Sequence, residues 1–377
     1  MTNAETFEAA VTQAKLPGAV GIIVDADGVR FAHACGLADA AAGLAMEQGT
    51  ICQIASMTKA LVTVGAMQLV ETGQLELDAP IGEVLPELAD PQVLSGFAED
   101  GAPVLRLALR PITLRHLLTH TSGLGYAFVQ TEVLRYYQAV GMPVSGSKAS
   151  ITMPLLFDPG DDWAYGVSTD WVGLAIEAVT GTDLQTYLGE HVFGPLGMMK
   201  TAFHRALPEG AAKIHVRNPE GGFGQSSLYL GGGEFHGGGG GLTSTAEDYA
   251  RFLQMMVRGG ELGGNRLLKA ETIADMSRNQ VGQIRAGKMT TAMPEFAVPF
   301  DTFPDQHTGW GLGFLINPDA VPGGRSAGSL CWAGILNSYY WIDPAAGVAG
   351  VFMTQLAPFG DPGALEAYAA LERMAYS

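Results

Sequence analysis

Ser56-Met57-Thr58-Lys59 places a hydroxyl and an amine three residues apart, on one face of the chain if the segment is helical. A serine hydroxyl attacks a carbonyl only when a neighbouring group takes its proton. A lysine whose burial disfavours the charged form can be that group or can tune one. The same spacing occurs by chance on many helix surfaces. Here, however, Ala60, Leu61, Val64, Met67 and Leu69 follow at roughly helical spacing and Thr72-Gly73 ends the run. A helix over Ser56–Glu71 is thus apolar on most of its circumference and belongs inside the protein, where a lysine needs a reason.

A second group is Trp163-Ala164-Tyr165-Gly166-Val167-Ser168-Thr169-Asp170, just after the turn Asp158-Pro159-Gly160. Tyr165 could act as a base if a nearby cation, such as Lys59, lowers its pKa from about 10. The plainer reading is a core tyrosine with a satisfied hydroxyl. A third group, Cys331-Trp332-Ala333-Gly334-Ile335, lies in a strand-like run whose small residues would let a substrate approach the backbone, and an N–H there could stabilise an oxyanion.

Other patterns carry less. Gly324-Arg325-Ser326-Ala327-Gly328 matches a nucleophile elbow, but strands rather than a helix follow it, and the last histidine, His307, precedes Ser326, so the chain order excludes that reading. His116 and His120 are four apart without the glutamate of a zinc helix, and no metal is expected. The Gly231–Gly241 run lacks the Lys-Ser/Thr of a phosphate loop. It reads as backbone lining a cleft or as a flexible loop, with His236 either facing a substrate or solvated.

The elements that must position these groups are partly legible. Residues 5–15 read as a helix. Ala19–Val24 and Val29–Cys35 flank Asp25-Ala26-Asp27-Gly28 as a hairpin. Ser244-Thr245-Ala246-Glu247 reads as a capping box opening a helix over Ala246–Arg258. Gly311–Ile316, Leu330–Ile335, Ser338–Ile342 and Gly347–Thr354 read as strands, and Ala364–Met374 as a final helix. Strands at both ends with helices between imply an α+β fold, an α/β sandwich with one sheet assembled from the two termini and a helical region inserted. Residues 1–75, 156–200 and 300–377 are assigned to the sheet-bearing unit, and 76–155 with 201–299 to a helical unit lining the groove. Met289–Phe303 reads as a rim of that groove or as core.

The chain has 377 residues, 47 % of them apolar and 16 % charged, with a formal charge of −17. Such a balance fits a large buried core and excludes disorder, while the negative charge disfavours nucleic acid and anionic membranes as partners. Cys35, Cys52 and Cys331 are widely spaced and form neither a disulfide framework nor a metal pair. The N-terminus lacks the features of a signal peptide, and the longest uncharged runs, Ser326–Ile342 and Pro344–Gly360, contain glycines and polar residues that unsuit them to a bilayer. The reading is a soluble cytoplasmic protein.

Taken in order, Ser56–Lys59, Ile112–Leu124, Trp163-Ala164-Tyr165, Gly238–Phe252 and Trp332-Ala333-Gly334 resemble the serine β-lactamase-like family of class C β-lactamases, DD-peptidases and related carboxylesterases. The resemblance spans most of the chain. It implies a mostly antiparallel sheet flanked by helices, an inserted helical domain and a groove between them. By it Ser56 is the acylated nucleophile, Lys59 and Tyr165 share its proton, and the backbone N–H groups of Ser56 and Ile335 form the oxyanion hole. Trp332, Ala333, Gly334, Tyr126, His236 and Val167 would face the substrate, and no cofactor is implied. Two departures matter. Val167 replaces the asparagine of Tyr-x-Asn, and Trp332-Ala333 replaces the Lys-Thr that holds a substrate carboxylate by charge-assisted hydrogen bonds. An indole and a methyl offer an apolar wall instead, which implies a short-chain ester substrate. A β-lactamase, a D-amino-acid peptidase, an acyltransferase using the same acyl-enzyme and a non-catalytic binding protein are the alternatives.

Overall fold

The computed structural model describes residues 2–218 and 220–377. Its main sheet has eight strands: β1 (Gly18–Asp25), β2 (Val29–Asp39), β3 (Leu44–Ala45), β4 (Gly309–Trp310), β5 (Leu315–Ile316), β6 (Leu330–Gly334), β7 (Ser338–Asp343) and β8 (Val348–Met353). The spatial order is β4-β5-β6-β7-β8-β1-β2-β3, and every pairing is antiparallel. The two termini meet at the β8–β1 pair, with Val20 opposite Met353 and Asp25 opposite Val348.

β1, β6, β7 and β8 are buried along nearly their whole length, so their side chains are apolar on both faces rather than alternating. Helices cover both sides. α1 (Asn3–Gln13) and the C-terminal helix α6 (Pro362–Ala375) pack together on one face, where Gly21 leaves room for Phe7 and Leu371; a Cβ on Gly21 would stand 2.7 Å from the Phe7 ring. α5 (Ala246–Val257) packs across β1, β7 and β8. α2 (Thr58–Glu71) is buried around its circumference and lies against α4 (Ser168–Thr180), while α3 (Leu114–Thr119) also packs on α4.

Three local expectations need correction. Gly311–Ile316 is not one strand: Gly313, at φ +87°, turns the chain between β4 and β5. α5 is capped by Thr245, whose hydroxyl accepts from Asp248 N at 3.1 Å, while Ser244 bonds to Thr201 instead of Glu247 closing a box. The α-helix expected from Ser56 begins at Thr58, and Ser56 sits on the 3-10 turn Ala55–Met57 before it. Among the described residues no helix is long and apolar enough to cross a membrane.

Candidate active site

Ser56 stands where three structures converge. Its own turn is entered through Ala55 in the left-handed region, φ +47°, a conformation that costs an L-residue about 1–2 kcal/mol and persists only where neighbours enforce it. The enforcing contacts are visible. Cys52–Gln53 pairs with Thr243–Ser244, Ile54 N donates to Leu242 O at 3.1 Å, Leu242 N donates to Thr58 Oγ1 at 3.3 Å, and the Tyr249 hydroxyl donates to Met57 O at 3.1 Å. The turn also abuts the end of β6: a Cβ on Gly334 would lie 2.5 Å from Ile54 O, so only glycine lets the strand come this close.

Lys59, on the first turn of α2, is 2 % exposed. Its Nζ donates to Gly239 O at 2.6 Å, to Tyr126 Oη at 3.2 Å and to Ser56 Oγ at 3.3 Å. Three contacts match the donors of an ammonium group, and in the free amine the lone pair takes the place of one of them. The Tyr165 ring lies 4.7 Å from the same Nζ, centroid to nitrogen. The Tyr165 hydroxyl has a different partner, accepting from Trp332 Nε1 at 3.0 Å. The expected order, with lysine between serine and tyrosine, therefore recurs with Tyr126 as the hydroxyl in hydrogen-bond contact, and Tyr165 packs beside it.

Both tyrosines are held by Gln130, which sequence reasoning missed. Its Oε1 accepts from Tyr126 N at 2.7 Å and its Nε2 donates to Tyr165 O at 3.1 Å. Behind Tyr165 lies an aromatic cluster: His120 at 4.9 Å, Trp332 at 4.9 Å and Trp163 at 6.2 Å between centroids. His120 ends α3 at φ +56° and is fully buried; burial, reinforced by the charge of Lys59, drives its pKa well below the ordinary value and keeps it neutral. Burial, then the charge of Asp170 and the proximity of Tyr165, push the Tyr126 hydroxyl well above its usual pKa, so it stays protonated.

In front of these groups opens a cavity of about 660 Å3, counted with its mouth. Ser56, Tyr165, Trp332, Ala333, Gly334 and Ile335 form one end. On β6, β5 pairs with Leu330 and Cys331, and the cavity runs along the edge of β6 that continues beyond them. Met289–Phe303 serves as rim and core at once: Met289, Val298 and Phe300 line the cavity, while Met289, Phe300 and Phe303 are buried. Phe128, Phe359 and Leu365 complete an uncharged wall.

Three residues expected to face the substrate do not line the cavity, and Tyr126 is held against Lys59 instead. Val167 is buried at the start of α4 and does not line the cavity. His236 packs at a tilt on Phe203, 5.0 Å between centroids, with its Nε2 3.3 Å from Asp183, and it is the backbone of Gly239 that reaches Lys59. His116 and His120 share no ligand geometry: His116 Nδ1 accepts from Thr113 N, and His120 is enclosed by rings.

The sequence model of the family described as Beta-lactamase matches residues 3–375. The chain is 32 % identical over 365 residues to the lovastatin esterase of Penicillium rubens, covering 92 % of this chain and 90 % of that protein. It is 33 % identical over 340 residues to the monacolin J acid methylbutanoyltransferase of Aspergillus terreus, covering 84 % and 79 %. The solved structure of a simvastatin synthase mutant from Aspergillus terreus superposes with a TM-score of 0.83 at 31 % identity, covering 99 % of this chain and 93 % of that one.

Proposed function

The chain belongs to the β-lactamase family, and on that premise we propose that it is a serine esterase cleaving uncharged, short-chain carboxylic esters through an acyl-Ser56 intermediate. The observation that carries this reading is the buried Lys59 Nζ, 3.3 Å from Ser56 Oγ at the end of an uncharged cavity. In the proposed reaction Ser56 Oγ attacks the ester carbonyl while Lys59, reacting as the free amine, takes its proton across the 3.3 Å contact. The developing oxyanion takes the N–H groups of Ser56 and Ile335. Tyr165 serves the leaving group. Because its oxygen already accepts from Trp332, its own proton is free to turn toward the cavity and the departing alkoxide. Water then enters by the reverse route and frees the acid.

The apolar wall at Trp332-Ala333 argues against β-lactams and D-amino-acid peptides, whose carboxylate would meet no cation there. Acyl transfer to an alcohol is the second reading. It is favoured by the likeness to a methylbutanoyltransferase and a simvastatin synthase, and it differs only in what intercepts the acyl-enzyme.

The test is p-nitrophenyl butyrate hydrolysis by the protein beside Ser56→Ala, repeated with excess alcohol. Turnover that vanishes in a folded Ser56→Ala variant supports the proposal, and the ratio of transfer product to free acid separates its two forms. Equal turnover in both proteins would overturn it.

A further inference from the structure

We propose that Asp170 is a positioning residue for Lys59, acting through the backbone of Gly239; the inference rests on the acyl-Ser56 reading above. Asp170 lies in the first turn of α4 and is 7 % exposed, a costly place for a carboxylate without a partner. Its Oδ1 accepts from Gly239 N at 2.9 Å, and Gly239 O accepts from Lys59 Nζ at 2.6 Å, the shortest of the three lysine contacts. One residue thus stands between the carboxylate and the ammonium, with its donor on the first and its acceptor on the second.

The local sequence is built for that approach. A Cβ on Gly239 would lie 2.4 Å from Asp170 Oδ2, and one on Gly238 would lie 2.6 Å from Thr169 O. The glycines are needed here for closeness to α4, and the turn is tied by Gly240 N and Gly241 N, both donating to Gly237 O. Burial raises the Asp170 pKa, while the Lys59 charge and the Gly239 N–H oppose the rise.

The arrangement has a chemical consequence. A direct carboxylate–ammonium pair would pull Lys59 toward Asp170 and away from the nucleophile. With Gly239 interposed, the carboxylate orders the carbonyl that anchors one N–H of Lys59, and the rest of the amine remains aimed at Ser56 and Tyr126. Asp170 therefore acts on where Lys59 points and touches no substrate.

The experiment measures kcat and KM for p-nitrophenyl butyrate with the full-length protein, Asp170→Asn, Asp170→Ala and Gly239→Ala, with melting temperature and near-UV circular dichroism as checks of folding. Asp170→Asn keeps the acceptor and loses the charge. It should lower kcat about 10-fold with KM within about twofold, since the cavity is untouched. Asp170→Ala should lose more. Gly239→Ala, whose methyl would press on Asp170 Oδ2 from 2.4 Å and so displace the same carbonyl, should reproduce the kcat loss, and the double variant with Asp170→Asn should be clearly less than multiplicative. Folded variants with kcat within twofold of the parent overturn the proposal, as does a double variant whose losses multiply. If Asp170→Ala does not fold, Gly239→Ala and the double variant still decide. Absence of Ser56-dependent turnover in the parent is a separate outcome that overturns the esterase reading and, with it, this inference.

Discussion

Gly334→Ala probes the junction between the nucleophile turn and β6. The added methyl would start 2.5 Å from Ile54 O and 3.4 Å from Ala55 Cβ. Restoring an ordinary contact requires the strand end and the turn to separate by about 0.5–0.9 Å, because both partners are backbone in a close-packed region. An oxyanion-hole donor works at about 2.7–3.1 Å from the developing charge, so such a shift carries one donor out of hydrogen-bond range. Losing one donor of this type costs about 10²–10³ in kcat. The expected result is therefore a fall of at least about 100-fold in kcat for p-nitrophenyl butyrate, read against Ser56→Ala as background, with the buried aromatic cluster still giving its near-UV signal. Overpacking should also lower the melting temperature. A folded Gly334→Ala protein with kcat within threefold of the parent would refute the reasoning, since the N–H groups of Ser56 and Ile335 could not then be a spatially tuned pair.

Two further expectations concern other parts of the molecule. Trp332→Phe keeps an apolar wall and removes the hydrogen bond to the Tyr165 hydroxyl; one such bond is worth about 1 kcal/mol, so kcat should fall about 5-fold with KM little changed, and an unchanged kcat would remove Tyr165 from proton transfer. Arg325→Met strands the buried Glu372 and should cost about 3–5 kcal/mol of stability. In the parent, burial favours the neutral acid, but the Arg325 charge and hydrogen bonds outweigh it and hold Glu372 below its ordinary pKa of 4.5. A lowered carboxylate pKa stabilises the fold above the unfolded value and loses that contribution as pH falls through the folded one. Without the Arg325 guanidinium only the main-chain N–H of residue 325 and the Arg373 charge oppose burial, so calorimetry should show the variant's deficit largest near pH 7 and narrowing toward pH 5; parallel melting curves across that range would contradict the pair's role.

What the sequence made legible follows from distance along the chain. The hairpin of β1 and β2, the buried helix behind Ser56 and the strands from Leu330 to Met353 are local patterns; β2, mostly half-buried or exposed, is legible from the Asp-Gly turn, and the others from apolar runs that burial on both faces requires. Ser56 and Lys59 are likewise neighbours in sequence. The residues that complete the candidate site are not: Tyr126 is 67 positions from Lys59 and Gly239 is 180. Gln130 belongs to no motif in the sequence. Asp170 lay within a segment already singled out, yet its partner is a backbone N–H, which has no signature in sequence. The N-cap of α5 slipped by one residue because Ser244 and Thr245 carry the same chemistry, and only the pairing of Cys52–Gln53 with Thr243–Ser244 decides which of them is still strand.

Trp332 ties the chemistry of the cavity to its selectivity. A lysine and a threonine at the end of β6 would fix a substrate carboxylate and leave the neighbouring tyrosine to be oriented by other groups. Here the indole does both jobs differently. Its face and edge, packed at 4.9 Å on Tyr165 and 4.7 Å on Trp310, present hydrocarbon where an anion would bind, while its N–H fixes the direction of the Tyr165 hydroxyl. Returning a lysine at 332 alone should therefore not create a β-lactamase. It would place a cation among rings, and it would free the hydroxyl whose orientation the proposed leaving-group step uses. The loss of the carboxylate anchor and the gain of a tyrosine clamp are one substitution, and reversing the specificity would require rebuilding the aromatic cluster around His120 that now depends on it.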